Sequence, residues 1–302
     1  YLMPDALDHI EHKLKDKTIV SLTRIEPPLH PDGPEKMLMD FGVEPEEFKE
    51  AELLEWFEKA KLHQLTKTTE GIFAPWAFYK KDFQEIGGHD PLYAPQSKED
   101  SDIFNRFQLN GIKFVQTWGG CVYHMTCRGS RRNTIDKAKN IYEDSPEWLA
   151  QNMRSTRNFI RKWGHFVKHD NLMKPIIPPL YDIGFIIKNG SMQLLEALEP
   201  WCSTVYIDDA NGNQYTQYVE KEQPNTIIDL SERIKPYDNE KNNEILVTID
   251  GNNFLQHDFG YIQQLSEILA DSGEPGFHGE LGNITVEIFE EMNTYEQKLI
   301  KL

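Results

Sequence analysis

Three carboxylates fall within four residues at Glu99-Asp100-Ser101-Asp102. A Gly-Gly turn, Gly87-Gly88-His89-Asp90, leads into them through a loop punctuated by Pro91 and Pro95. Behind them Ile103, Phe104 and Phe107 recur at helical spacing, so the acidic group sits where a loop becomes a helix. Acidic residues in a first helical turn satisfy free amides and complement the helix dipole, which makes capping one role for them. A carboxylate held at such a place and facing a cleft is also equipped to act as a general base. The two roles are compatible, because one carboxylate can cap while another points outward. Downstream, His124 follows a short predicted strand ending at Val122-Tyr123, and a basic run, Arg128, Arg131 and Arg132, follows it.

The elements that must position these groups are legible in outline. Thr18 to Arg24 reads as a buried strand, Glu44 to Gln64 as an amphipathic helix, and Lys81 to Ile86 as a short helix stopped by Gly87. Asn110-Gly111 ends the helix that carries Asp100, and Ile112 to Trp118 alternates as a strand. Gly119-Gly120 predicts a bend before the strand Cys121–Tyr123. Residues 136–165 read as two helices broken at Ser145-Pro146, which caps the second. Lys174 to Pro179 is a linker by composition. Beyond it, strands at 181–188, 204–208, 245–249 and 284–289 and helices at 191–201 and 261–269 run in the order β-α-β-β-α-β. That order predicts an α+β ferredoxin-like module over 179–302.

Composition narrows the function. With 32 basic and 49 acidic residues the net charge is −17, which argues against a general nucleic-acid surface. No apolar run approaches bilayer length, so no transmembrane segment is expected. Three cysteines, Cys121, Cys127 and Cys202, an odd number, suggest free thiols in a reducing compartment, and the expectation is a cytoplasmic, soluble protein. Cys121, His124 and Cys127 have a zinc-like spacing, but steps of three alternate faces on a strand, which disfavours a shared ion. Trp76 suits either the core or a stacking platform for a sugar ring.

The series Gly87-Gly88-His89-Asp90, Glu99-Asp100-Ser101-Asp102, Arg106, Gly111 and Tyr123-His124 resembles the C-terminal half of the catalytic domain of family 2 glycosyltransferases of the GT-A fold. The start of the chain, with Pro4-Asp5-Ala6-Leu7 ahead of a helix and a strand, is similar to the segment just after the D-x-D motif of that family. The resemblance covers about residues 1–132 and implies an α/β fold, with a partial GT-A domain over 1–135, a helical extension and linker over 136–178, and the ferredoxin-like domain after it. It implies that the D-x-D half lies outside this chain, which would then be an inactive fragment on its own. It implies inverting transfer of a sugar from a nucleotide-sugar donor to a glycan acceptor hydroxyl. Asp100, with Glu99 beside it, would be the catalytic base. Trp76, Gly87, Gly88, His89, Asp90, Asp102, Arg128 and Arg131 would line the substrate cleft. His124 would approach a divalent metal, Mn or Mg. The module at the C-terminus would serve recruitment or homo-oligomerisation. A competing expectation is a non-catalytic carbohydrate-binding or scaffold protein derived from a transferase.

Overall fold

The computed structural model describes all residues except 62–65, 126–131, 137–140 and 209–213, and only the backbone of 61, 132–136, 141 and 142. The chain is mixed α/β. Its first part comprises α1 (Ala6–Glu11), β1 (Thr18–Glu26), β2 (Lys36–Leu38), α2 (Glu50–Lys61), β3 (Thr68–Thr69), β4 (Trp76–Ala77), α3 (Lys80–Glu85), α4 (Glu99–Leu109) and β5 (Lys113–Tyr123). The sheet order is β2-β1-β5-β3, with β4 also on β1. β1 runs parallel to β2 and β5, and all nine of its residues are buried, so it is covered on both faces. One face packs Ile19, Ile86, Ile103, Phe107 and Phe114 beneath α4. Another cluster packs Ile25, Phe41, Leu53, Phe57 and Tyr123 beneath α2. Each such fully buried side chain contributes roughly 1.5–3 kcal/mol of transfer free energy.

The expected break at Gly119-Gly120 is an irregularity inside one continuous strand. Leu22 pairs with Thr117 but Thr23 pairs with Cys121, so three residues of β5 are passed over. A Cβ at Gly120 would stand 2.8 Å from His9 Cβ and 2.9 Å from Leu22 Cδ2, so the glycine lets α1 close on the strand at this point.

β6 (Arg132–Asp136) and β7 (Ile141–Asp144) pair antiparallel, so the described part of 136–144 is strand where a helix was expected. Thr134, Ile135, Ile141 and Tyr142 are β-branched or aromatic, which favours strand in these two stretches. The helix expected after Ser145-Pro146 is present as α5 (Pro146–Trp163), with Ser145 Oγ accepting from Trp148 N and Gly164 in the left-handed region at its end.

The last part departs from the expected ferredoxin-like sandwich. It comprises β8 (Ile183–Lys188), α6 (Met192–Leu198), β9 (Thr204–Ile207), α7 (Gln214–Glu222), α8 (Leu230–Arg233), β10 (Ile234–Pro236), β11 (Ile245–Asp250), α9 (Gln256–Ser272), β12 (His278–Leu281) and β13 (Ile284–Ile288). The order is β10-β9-β8-β11-β13-β12. β10, β9, β8 and β11 are parallel, and only the β13 and β12 pairings are antiparallel. β9 and β11 therefore flank β8 and do not pair with each other. The crossover runs between β9 and β10, where Tyr218 of α7 and Leu230 of α8 are fully buried in the core of this part.

α5 joins the two parts. Phe159 and Trp163 pack with Leu92 and Tyr93 of the first, while Ile160 belongs to the core of the second. Arg161, fully buried, donates to both oxygens of Glu199, at 2.7–3.1 Å, and to Glu222 Oε1 at 2.6 Å. Arg233 donates to Glu199 Oε1 at 3.0 Å from the other side. Burial raises the Glu199 pKa, but Arg233 and Arg161 outweigh it and hold the group well below the usual carboxylate range.

Candidate functional site

The acidic helix start separates its carboxylates by direction, since successive helical residues diverge by roughly 100°. Asp102 turns inward and is 1% exposed. It accepts from Arg106 Nε at 2.8 Å and Trp163 Nε1 at 3.0 Å, and Lys162 Nζ lies 2.6 Å away. Arg106, fully buried on the next turn, donates its remaining nitrogens to the carbonyls of Ile86 and Gly88 at 2.7 Å each. The Gly-Gly turn is thus fastened to α4 through its backbone, and both glycines have positive φ, 85° and 82°. Asp90 caps the following turn by accepting from Leu92 N and pairs with Lys162 at 2.8 Å. Asp102, expected to contact substrate, is a scaffold group here, and Asp90 is engaged in the same scaffold.

Asp100 faces a cavity of about 220 Å³. Glu99, Ser101, Phe104 and Asn105 of α4 share that wall. Burial, with the Glu99 charge adding to it and His89 opposing, raises the Asp100 carboxyl to about 6. His89 is exposed and sets its ring edge-on to Phe83 at 5.3 Å. Trp76 does not line the cavity. It packs edge-on against Phe104, 5.0 Å between centroids, and so supports the wall from behind.

The opposite wall comes from residues with no functional signal in the sequence. Phe73 precedes β4, while Lys168, His169 and Met173 lie between α5 and the linker that starts at Lys174. That segment is pinned by Asp170 Oδ1, which accepts from Leu172 N and Lys174 N, and by Ile72 N donating to Leu172 O. Asn105 was missed although a polar residue between Phe104 and Phe107 was a visible anomaly.

Next to Phe73 lies a second group, at the C-terminal ends of β1 and β5 and the start of β2. The Arg24 guanidinium sits 3.7 Å from the Phe73 ring centre. Arg24 pairs with Glu26 at 2.7 Å and Glu35 at 3.2 Å, and Lys36 Nζ lies 3.3 Å from Glu26 Oε2. His124 Nδ1 lies 2.9 Å from Glu26 Oε1, with its side chain 49% exposed. Burial raises the Glu26 pKa, but His124, Arg24 and Lys36 together bring it down to about 2. The Glu26 contact orients the His124 ring through Nδ1 and leaves Nε2 as its other nitrogen. His124 therefore fits a metal ion as one oriented ligand. Among the described residues no group of three or more His, Cys, Asp or Glu is placed to hold a metal by itself. Arg128 and Arg131, expected at the substrate, lie outside the described residues. Cys121 and Cys202 are free, and burial pushes each thiol up to about 12. Among the described residues no helix is long and apolar enough to cross a membrane.

No family model, curated protein or solved structure matches the chain.

Proposed function

We propose that the chain carries the acceptor side of a GT-A type, inverting glycosyltransferase of the family 2 kind, acting on a nucleotide-sugar donor and an acceptor hydroxyl. The observation that carries this is Asp100. It faces a cavity of about 220 Å³ and its carboxyl is raised to about 6, the range in which a base is ionised near neutrality yet still takes a proton readily. Asp100 accepts the acceptor's hydroxyl proton as the oxygen attacks the donor's anomeric carbon. Glu99 keeps Asp100 basic through repulsion. Asp102, Arg106 and Lys162 fix α4 against the Gly-Gly turn, so the carboxylate does not have to be ordered at the moment of reaction. A divalent Mn or Mg ion, when bound, would neutralise the leaving diphosphate, and His124, oriented by Glu26, would be among the residues that hold it.

The test is turnover by the complete protein with nucleotide-sugars, Mn²⁺ and simple glycosides, followed as release of nucleoside diphosphate. Asp100→Asn keeps the shape and removes the proton acceptor, and turnover should fall about 10²–10⁴-fold. Near-normal turnover in that variant overturns the assignment.

A further inference from the structure

Two consecutive residues ahead of α4, Ser97 and Lys98, lie in the left-handed region, with φ of 80° and 73°. Neither is a glycine, so each carries a conformational cost that the surroundings must hold in place. The holding groups come from α5. Arg154 donates to Ala94 O at 3.0 Å. Gln151 Nε2 and Ser155 Oγ donate to Gln96 O at 2.9 and 3.1 Å. Asn152 Oδ1 accepts from both strained residues, from Ser97 Oγ at 2.8 Å and from Lys98 Nζ at 2.9 Å. The approach to the acidic helix is thus set by a helix more than fifty residues away in the chain.

Ser97, Lys98 and Asp100 line the same cavity. Lys98 is two residues from Asp100, and its flexible stem lets the ammonium turn to one partner or another. An ammonium beside a carboxylate favours the ionised form and lowers its affinity for a proton. Among the described residues the charges that act on Asp100 are Glu99 and His89, and Lys98 is not one of them. The cations on the neighbouring elements are engaged as well. Across the cavity Lys168 pairs with Glu267, and His169 Nδ1 bonds the Asp170 carbonyl at 2.8 Å. On α5, Lys162 pairs with Asp90 and Asp102, and Arg154 bonds Gln151 and Ala94.

We propose that Asn152 is a positioning residue for Asp100, holding the Lys98 ammonium away from the carboxylate while it fixes the path of the chain into α4. A neutral amide oxygen suits this task, since it accepts from a cation without bringing a charge of its own to the cavity. The proposal rests on the reading of Asp100 as the proton acceptor and adds how its affinity for the proton is kept.

Carbon-13 NMR of the aspartate carboxyls reads Asp100 directly in the chain itself, without a substrate, and Asp100→Asn identifies its signal. The parent midpoint should lie near 6. In Asn152→Ala the released Lys98 turns to Asp100, and the midpoint should fall by about one pH unit or more. In the double variant Asn152→Ala with Lys98→Met it should return to the parent value. Lys98→Met alone should leave it unchanged, because the ammonium is already withheld. Asn152→Leu, similar in volume and without an acceptor, takes the place of the alanine variant where that one does not fold. Four results overturn the proposal: removal of Asn152 leaves the midpoint where it was, the double variant fails to restore it, as a merely structural role would, Lys98→Met alone raises it, or the parent midpoint lies near the ordinary 3.8. The catalytic reading fails by a different result, normal turnover in Asp100→Asn with the titration pattern intact.

Discussion

Lys162 Nζ stands 2.6 Å from Asp102 Oδ1, both side chains being less than a tenth exposed. This contact ties α5 to α4 and makes Asp102, two residues from Asp100, a different kind of residue. Replacing it leaves Lys162 and Arg106 buried with a partner removed, which costs on the order of 3 kcal/mol. Asp102→Asn should therefore lower the thermal midpoint by several degrees and the turnover of the surviving folded protein far less. Asp100→Asn should do the reverse. Parallel melting curves and initial rates on the two variants check it, and equal rate losses would place both carboxylates in the chemistry.

The pH dependence follows from the direction of the Asp100 shift. Its carboxyl is raised to about 6. A base works only when ionised, so the rate should fall as pH drops through about 6, with a slope approaching tenfold per pH unit below it. For stability the sign is opposite to that of a paired acid. The folded state favours the protonated form, so this group withdraws stability as pH rises from the ordinary carboxylate value of 3.8 to about 6. Asp100→Asn should accordingly be no less stable than the parent at pH 7. Urea midpoints at pH 5 and 7 measure this, and an acid limb centred near 4 would show Asp100 to be freely solvated.

The helix start at Glu99, the stop at Gly87 and the cap at Ser145 were legible because each depends on residues within one turn. Four strands of the second sheet, β8, β9, β11 and β13, were legible too, but its order was not, because β10 has three residues and the crossover helices carry few apolar side chains, of which Tyr218 and Leu230 are buried. Period counting cannot weigh a four-residue helix whose stability comes from docking. Nor could the sequence place Lys168, His169 and Met173 opposite Asp100, since their position is set by Asp170 and by the long-range Ile72–Leu172 hydrogen bond. Asp102 and Arg106 were visible as a pair at i,i+4, but their burial depends on Trp163 and Lys162, some sixty residues on.

α5 changes the domain boundary that composition suggests. A segment beginning at residue 179 lacks Ile160 from its core and leaves fully buried Glu199 without the Arg161 fork. Losing such a partner costs about 3–5 kcal/mol, a large part of a domain's stability. Residues 179–302 alone should give a broad, weakly cooperative melt by circular dichroism. Residues 145–302 should give a sharp one. A sharp transition for the shorter segment would show the Arg161–Glu199 contact to be dispensable.

His165, just past α5, is a separate acid trigger. It is 3% exposed, its Nδ1 hydrogen-bonds Phe166 O at 2.5 Å, and its Nε2 is buried with no partner among the described residues. Burial lowers its pKa to about 4; the Phe166 carbonyl opposes this, Lys168 adds to it and Glu267 opposes it. The folded value lies below the ordinary 6.5, so the unfolded chain binds the proton first. Its contribution is present in full above 6.5 and is lost as pH falls from there towards 4, approaching about 3 kcal/mol. Glu26, held at about 2, loses its own contribution only at lower pH, as it falls through the range from 4.5 to 2, so the two windows barely overlap. His165→Asn retains a donor near Phe166 O and cannot titrate. It should be somewhat less stable than the parent at pH 7 and should lack the part of the decline between pH 6.5 and 4.5 that belongs to this histidine. Urea midpoints at half-unit steps measure the difference, and parallel curves for the two proteins across that window would assign the acid sensitivity to another group.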